Sequence, residues 1–182
     1  PVDAVDIAIT DFSNNGTMAA HFNGDTSYVE VPTLRANMFA SPYTLSFWVY
    51  PEDDTRAILF GDYLTSGAAN INFERAAGGA LRYYHNGTPN KYFTATVEAG
   101  KWNLITFTYT PGVMTVYKNG QKMDTFAYTS TVNKGLNSIM RIGRDSRNRA
   151  SGDETPLKGY ISDFRFYVTC LTDLEVADLY SS

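Results

Sequence analysis

Cysteine is nearly absent from the 182-residue chain, which contains only Cys170. One thiol excludes an internal disulfide framework, so packing and hydrogen bonds have to hold the fold. Cys170 lies between two apolar-patterned segments, so we expect a buried, inert thiol; a nucleophile would need a low-pKa setting with a base nearby. No apolar run approaches the length that spans a bilayer, and no signal peptide is present. Because the chain begins at Pro1 without a methionine, we expect a processed or excised fragment.

An excess of positive charge is also missing. The formal net charge is −4 and the pI is about 5.1, which argues against a nucleic-acid-binding surface. No linker rich in Pro, Gly or Ser and no block of like charge divides the chain. We therefore predict one domain over residues 1–182, with a lead-in at 1–18, a sandwich at 19–168 and a helix at 171–180.

Signatures of catalysis are absent. There are two histidines, His21 and His85, without zinc-type spacing, and there is no G-x-S-x-G motif. The glutamates are scattered and form no cluster of the paired carboxylates that a glycosidase needs. We therefore predict that the protein is not an enzyme. Carboxylates distant in sequence can meet in a fold, so glycoside hydrolysis stays the last of three alternatives.

Aromatic residues and turn formers are abundant. Aromatics make up 14% of the chain, and 14 glycines include several Asn-Gly steps. Aromatic side chains suit half-buried pleated surfaces, and Asn-Gly favours tight hairpins. The many short alternating segments predict an all-β fold, a two-sheet antiparallel jelly-roll sandwich with one short C-terminal helix.

The end of the chain carries the clearest pattern. Residues Lys158–Tyr167 alternate as a long strand, and leucines then recur at helical spacing from Leu171. Thr172 with Glu175 three residues later forms a capping box, which marks the start of a helix. We expect this helix to bury Leu174 and Leu179.

Several motifs occur in one order along the chain: Asn23–Pro32, Thr44–Pro51, Lys101–Tyr109, Ile139–Gly143 and Lys158–Tyr180. Their wording resembles laminin-G-like domains of the concanavalin A-like lectin/glucanase superfamily, and is closer to bacterial and phage examples than to animal ones. The resemblance extends from about residue 11 to residue 180. Two tryptophans, Trp48 and Trp102, match core strands of that family, so we predict that both are buried core residues and that neither is a surface for ligand binding.

The resemblance implies a possible structural Ca²⁺ between the first hairpin and the final strand. The matching positions are Asn23, Gly24, Asp25 and Asp163. Calcium prefers carboxylate and carbonyl oxygens, which these positions offer. The alternative is that Asn23-Gly24 only makes a turn and that Asp163 bonds locally.

Two segments offer a ligand either aromatic rings or the guanidinium groups of arginines, which are hydrogen-bond donors. One includes Tyr83, Tyr84 and His85, and the other is a polar loop with Arg144, Asp145 and Arg147. Aromatic faces with a few polar groups are typical of binding sites. The alternative is that the tyrosines pack within the sheet and the arginines are solvated.

From these features we predict a non-catalytic binding module that recognises carbohydrate at a cell surface. Its location would be extracellular, on a cell surface or in a virion. The second alternative is a structural or protein-docking domain of a larger assembly such as a phage virion. Neither nucleic acid binding nor membrane insertion is expected.

Overall fold

The computed structural model describes residues 3–5, 7–10, 12, 18–63, 71–85, 91–128, 138–144 and 155–182. Within these residues the chain forms fourteen strands, one 3-10 helix and one α-helix, α1. The strands, β1 to β14 in chain order, are Asp3–Val5, Ala8–Thr10, Ala19–Asn23, Tyr28–Arg35, Tyr43–Pro51, Ala57–Tyr63, Ile71–Arg75, Ala80–His85, Lys91–Thr96, Asn103–Thr110, Gly112–Lys118, Gln121–Tyr128, Ile139–Ile142 and Lys158–Tyr167. The 3-10 helix is Ala36–Ala40, and α1 is Asp173–Ser181.

The described strands form two seven-stranded antiparallel sheets. The first sheet has the order β1-β4-β13-β6-β7-β8-β9, and the second has the order β12-β11-β10-β5-β14-β3-β2. With the single α-helix at the C-terminal end, this confirms the predicted all-β sandwich. Some neighbouring strands are distant in sequence. Strand β14, near the C-terminal end of the chain, pairs with β5 on one side and with β3, near the N-terminal end, on the other.

The main core lies between the two sheets and is rich in aromatic rings. On β5, Leu45, Phe47 and Val49 face this core, because alternate side chains of a strand point to the same side. The core side chains of the first sheet meet them, and the rings of Phe73 and Phe107 lie 4.7 Å apart across the sandwich. The alternate side chains of β5, those of Thr44, Ser46, Trp48 and Tyr50, therefore lie on the outer face of the second sheet.

The C-terminal unit matches the sequence prediction in position but differs in packing. Strand β14 covers the predicted residues, and α1 begins with the capping box of Thr172 and Glu175. The prediction that the helix buries Leu174 is wrong, because Leu174 is 72% exposed and Val176 is the buried residue of the helix. Only one narrow side of this short helix contacts the sheet, and Leu174 lies away from it.

The two tryptophans differ from each other in burial. Trp48 is 5% exposed, on the outer face of the second sheet, with its ring 5.7 Å from that of Tyr180 in α1. Its predicted burial is confirmed, although the helix covers it rather than the opposite sheet. The predicted burial of Trp102 is wrong: it precedes β10 at the sheet margin and is only partly buried.

Candidate functional site

The two tyrosines predicted to bind a ligand point to opposite sides of β8. Tyr83 is 3% exposed and belongs to the core, where its hydroxyl lies 2.9 Å from that of Tyr128. Burial, together with the neighbouring tyrosines, holds the pKa of Tyr83 well above its usual range. Tyr83 therefore offers no surface to a ligand, which corrects the sequence interpretation; the alternation of β8 sends Tyr84 outward instead.

The structure does not bring Tyr84 and the predicted arginine loop together. Tyr84 shares a row of the first sheet with Asn72, Gly61 and Arg141, three strand spacings away from Arg141. At about 4.8 Å per spacing this is ~14 Å, and Arg144 lies beyond the end of β13. The side chain of His85, and the residues Asp145 and Arg147, lie outside the described part of the chain.

Charged groups on the outer face of the first sheet bind one another. The fully buried Glu74 accepts hydrogen bonds from Arg56, at 2.9 Å, and from Arg82. Arg141 pairs with Glu30 at 2.5 Å. The guanidinium groups of Arg56, Arg82 and Arg141 are thus used to hold carboxylates of the protein itself.

The predicted calcium ligands are separated by the register of the second sheet. Asn23 lies opposite Lys158 on β14, whereas Asp163 is five residues further along the same strand. At about 3.3 Å per residue this is ~16 Å, too far for one ion whose ligands lie at about 2.3–2.6 Å. Among the described residues no group of three or more His, Cys, Asp or Glu side chains could hold a metal ion.

Both proposed ends of that site have local partners. The side-chain oxygen of Asn23 accepts the backbone N–H groups of Asp25, Thr26 and Ser27, at 2.8, 3.0 and 3.2 Å. The carboxylate of Asp163 pairs with Arg165 at 2.6 Å. The residues present do not fit the predicted shared calcium site and instead match the alternative of a turn and a local ion pair.

A site that sequence reasoning missed lies on the outer face of the second sheet. Phe12, Tyr50, Glu52 and Tyr160 line a depression of about 240 Å³, which we call the aromatic cleft. Tyr50 and Tyr160 are directly paired on β5 and β14. Gly159 allows this close pairing, because a β-carbon there would overlap the backbone of β5 at Tyr50.

The rings of the aromatic cleft form one contiguous cluster. Phe12 meets Tyr50 and Tyr160 edge to face, with ring centroids 5.0 and 4.8 Å apart. Trp102 extends the cluster, 5.6 Å from Tyr50 and 5.7 Å from Phe12. Edge-to-face packing leaves part of the apolar surface outward, and Phe12 is 43% exposed. The cleft therefore presents aromatic surface to solvent.

Polar groups converge on one carboxylate at the edge of these rings. The Nε2 of His21 lies 3.1 Å from Oε1 of Glu52, and Tyr160 lines the same depression as Glu52. Partial burial raises the pKa of Tyr160, and the nearby Glu52 carboxylate raises it further, so the phenol stays protonated as a donor. The His21 contact fixes the direction of a carboxylate that still has 29% of its side chain exposed.

The sequence contains only part of the signal for this cleft. Alternation on β5 places Tyr50 on the face of Trp48, which marks Tyr50 as outward from the main core. Phe12 belongs to a lead-in that looks like a turn, and His21 and Tyr160 meet only through the pairing of β3 with β14. The site depends on the order and the register of the strands, and no single segment of the sequence determines either of them.

The two packed antiparallel sheets with outward aromatic surface define a jelly roll of the lectin type. The chain belongs to the Concanavalin A-like lectin/glucanases superfamily, whose laminin G model matches residues 23–177. This confirms the resemblance to laminin-G-like domains of this superfamily that the sequence shows. No curated protein sequence matches the chain.

Solved structures share the fold at low identity. Domain 4 of AbnA, a GH43 extracellular arabinanase from Geobacillus stearothermophilus solved with arabinotriose, is 24% identical with a TM-score of 0.75, covering 99% of this chain and 88% of that chain. A Trypanosoma rangeli sialidase in complex with the inhibitor DANA is 17% identical with a TM-score of 0.70, covering 98% and 29%. The binding domain of Botulinum Neurotoxin DC in complex with SialylT is 13% identical with a TM-score of 0.70, covering 100% and 46%. The chain thus spans under half the length of the sialidase and toxin chains.

Proposed function

We propose that this protein is a non-catalytic carbohydrate-binding module and that the aromatic cleft binds a sugar ring. The observation that carries the proposal is the convergence of three aromatic rings on one oriented carboxylate, Glu52. Sites for small ligands commonly combine apolar rings with a few placed polar groups. The aromatic cleft has that composition on an outward sheet face.

A sugar ring suits this chemistry through both its C–H face and its hydroxyl groups. Its C–H face packs on aromatic surface, and Phe12, Tyr50 and Tyr160 supply such surface. Its hydroxyls donate hydrogen bonds, and Glu52 is an acceptor held in place by His21. A volume of about 240 Å³ is below the range of drug-sized pockets, so we expect one sugar residue of a longer chain to occupy it.

The structural neighbours support the ligand class. The arabinanase domain and the toxin binding domain were solved with arabinotriose and with SialylT, and the arabinanase is extracellular. We propose the same broad setting here, as part of an extracellular or cell-surface protein. None of the helices in the described part of the chain is long and apolar enough to span a bilayer.

The absence of catalysis is part of the proposal. A glycosidase uses two carboxylates about 5–9.5 Å apart across the scissile bond. Glu52 is the one carboxylate among the described residues that line the aromatic cleft. On the other sheet, Glu74 and Glu30 are each paired with arginines.

The test is a glycan array followed by calorimetric titration of each glycan that binds. Phe12→Ala should weaken binding about tenfold or more, and Tyr92→Ala, which removes an exposed ring on the first sheet, should leave it unchanged. Melting curves check that both variants fold.

Three results would count against the proposal. Binding that is lost with Tyr84→Ala but kept with Phe12→Ala would move the site to the first sheet. Release of reducing sugar from a bound polysaccharide would contradict the non-catalytic assignment. A stable complex with another protein, without binding to any glycan, would favour the docking alternative.

A further inference from the structure

We infer that the aromatic cleft selects neutral sugar rings and rejects rings that carry a carboxylate. This inference rests on the proposed carbohydrate binding and specifies the ligand class of the same site. The selecting group is Glu52, which lines the cleft beside the rings of Phe12, Tyr50 and Tyr160.

The charge of the cleft comes from Glu52. Phe12, Tyr50 and Tyr160, the other described lining residues, have aromatic side chains, and burial together with the nearby Glu52 raises the pKa of Tyr160. Glu52 is partly buried, so water screens its charge less than that of a fully exposed carboxylate. A second carboxylate brought into this space would repel Glu52 at close range.

The nearby cations are engaged elsewhere. Lys158 lies 3.9 Å from the carboxylate of Asp53, and Arg75 pairs with Asp54 at 2.7 Å. Both acids follow Glu52 directly in the chain, and neither Lys158 nor Arg75 is among the described lining residues of the cleft. Among the described lining residues there is no guanidinium or ammonium group to receive a sugar carboxylate.

His21 contacts this carboxylate from β3. Its Nε2 lies 3.1 Å from Oε1 of Glu52, and 29% of the Glu52 side chain stays exposed beside that contact.

The hydrogen-bonding pattern points in the same direction. Glu52 is an acceptor, and a neutral sugar offers hydroxyl donors at every free position. Oxidation of a primary hydroxyl to a carboxylate replaces a donor with a charged acceptor. The change leaves the C–H face that packs on Phe12 and Tyr50 intact, so charge and donor count alone distinguish the two sugars.

The experiment titrates the protein with matched pairs of oligosaccharides. Each pair consists of a cello-, manno- or galacto-oligosaccharide and the same sugar oxidised at the primary hydroxyl. Neutral arabinotriose is titrated as well. Wild type should bind the neutral member of each pair at least about tenfold more tightly than the oxidised member. Glu52→Gln keeps the shape and one acceptor oxygen; it should reduce that preference to about twofold or less and change neutral binding by less than about threefold. Asp124→Asn, on the edge strand β12, is the matched control and should keep the wild-type preference.

Salt gives a second measurement that needs no variant. Raising ionic strength from about 0.05 M to about 0.5 M should narrow the preference of wild type, because it screens the repulsion. Equal binding of both members by wild type, or a preference that survives Glu52→Gln and high salt, would overturn the inference and leave the carbohydrate proposal standing. If wild type binds no glycan of the pairs or of the array, the carbohydrate proposal itself fails, and the inference falls with it.

Discussion

Trp48 and Trp102 show how the surroundings of one side chain decide its role. Trp48 lies on the outer face of β5 but is covered by α1. Trp102 lies on the same face, in contact with Phe12 and Tyr50 and partly open to solvent. The same residue type therefore stabilises the fold at one position and borders the aromatic cleft at the other.

We predict that alanine substitutions at the two tryptophans separate stability from binding. Trp48→Ala should lower the free energy of unfolding by about 3–5 kcal/mol, as for other large buried side chains. Trp102→Ala should cost about 1–2 kcal/mol, because less surface is buried there, and should weaken glycan binding. Urea unfolding and titration of the same samples measure both quantities. Equal destabilisation by the two changes would show that Trp102 is as buried as Trp48.

At the scale of elements, α1 depends on its first turn more than on an apolar face. Glu175 accepts from the backbone N–H and the hydroxyl of Thr172, both at 2.8 Å, and its own N–H donates to that hydroxyl. The bond from the Thr172 backbone, followed by the bond from its hydroxyl, lowers the pKa of Glu175. The helix start is therefore sensitive to the ionisation of Glu175.

The lowered pKa predicts a pH dependence. A carboxyl group with a lowered folded pKa stabilises the protein above its ordinary pKa of about 4.3 and loses that contribution as pH falls through the lowered value. Glu175→Gln should therefore melt below wild type at about pH 7, and the difference should shrink by about pH 3. Scanning calorimetry across this range measures it. A difference that stays constant with pH would mean that the charge of Glu175 does not contribute.

Strand β14 is central to the second sheet. It pairs with β5 on one side and β3 on the other, and Ile161 and Leu157 pack in the core. Removing it would leave two strands without partners on facing edges, and exposed edges of that kind promote aggregation.

We predict different outcomes for two truncations. A chain ending at Pro156 lacks β14 and should be insoluble or show no cooperative melting. A chain ending at Cys170 lacks only α1 and should fold, with a lower melting temperature because Trp48 loses its cover. Solubility and thermal melts distinguish them. A cooperative melt of the shorter chain would show that the second sheet folds without β14.

At the scale of the whole molecule, the strand register keeps the two proposed calcium positions apart. Asn23 and Asp25 lie at one end of the β3–β14 pair and Asp163 beyond the other. Calcium binding itself stays a prediction. We expect that any effect of chelator on the melting temperature is unchanged in Asp163→Ala, because this residue holds Arg165 instead. Loss of the same chelator effect in both Asp25→Ala and Asp163→Ala would indicate a shared ion.

The sequence alone determined the elements whose signals are local. Alternation defined β14, and the capping box defined the start of α1. These signals are local because side-chain direction and turn geometry depend on residues close in the chain. Together with the ordered family motifs, they were sufficient for the fold class and the superfamily.

Only the tertiary structure decided which side chains meet. Phe12, Tyr50 and Tyr160 come from three distant segments, and the pairing of β14 with β5 joins them. The same register separates Asn23 from Asp163, although their motifs suggested one site. A strand pattern indicates which residues share a face, but the neighbouring strand and its offset come from the packing of the complete sandwich. The site therefore appears where strands distant in sequence lie side by side.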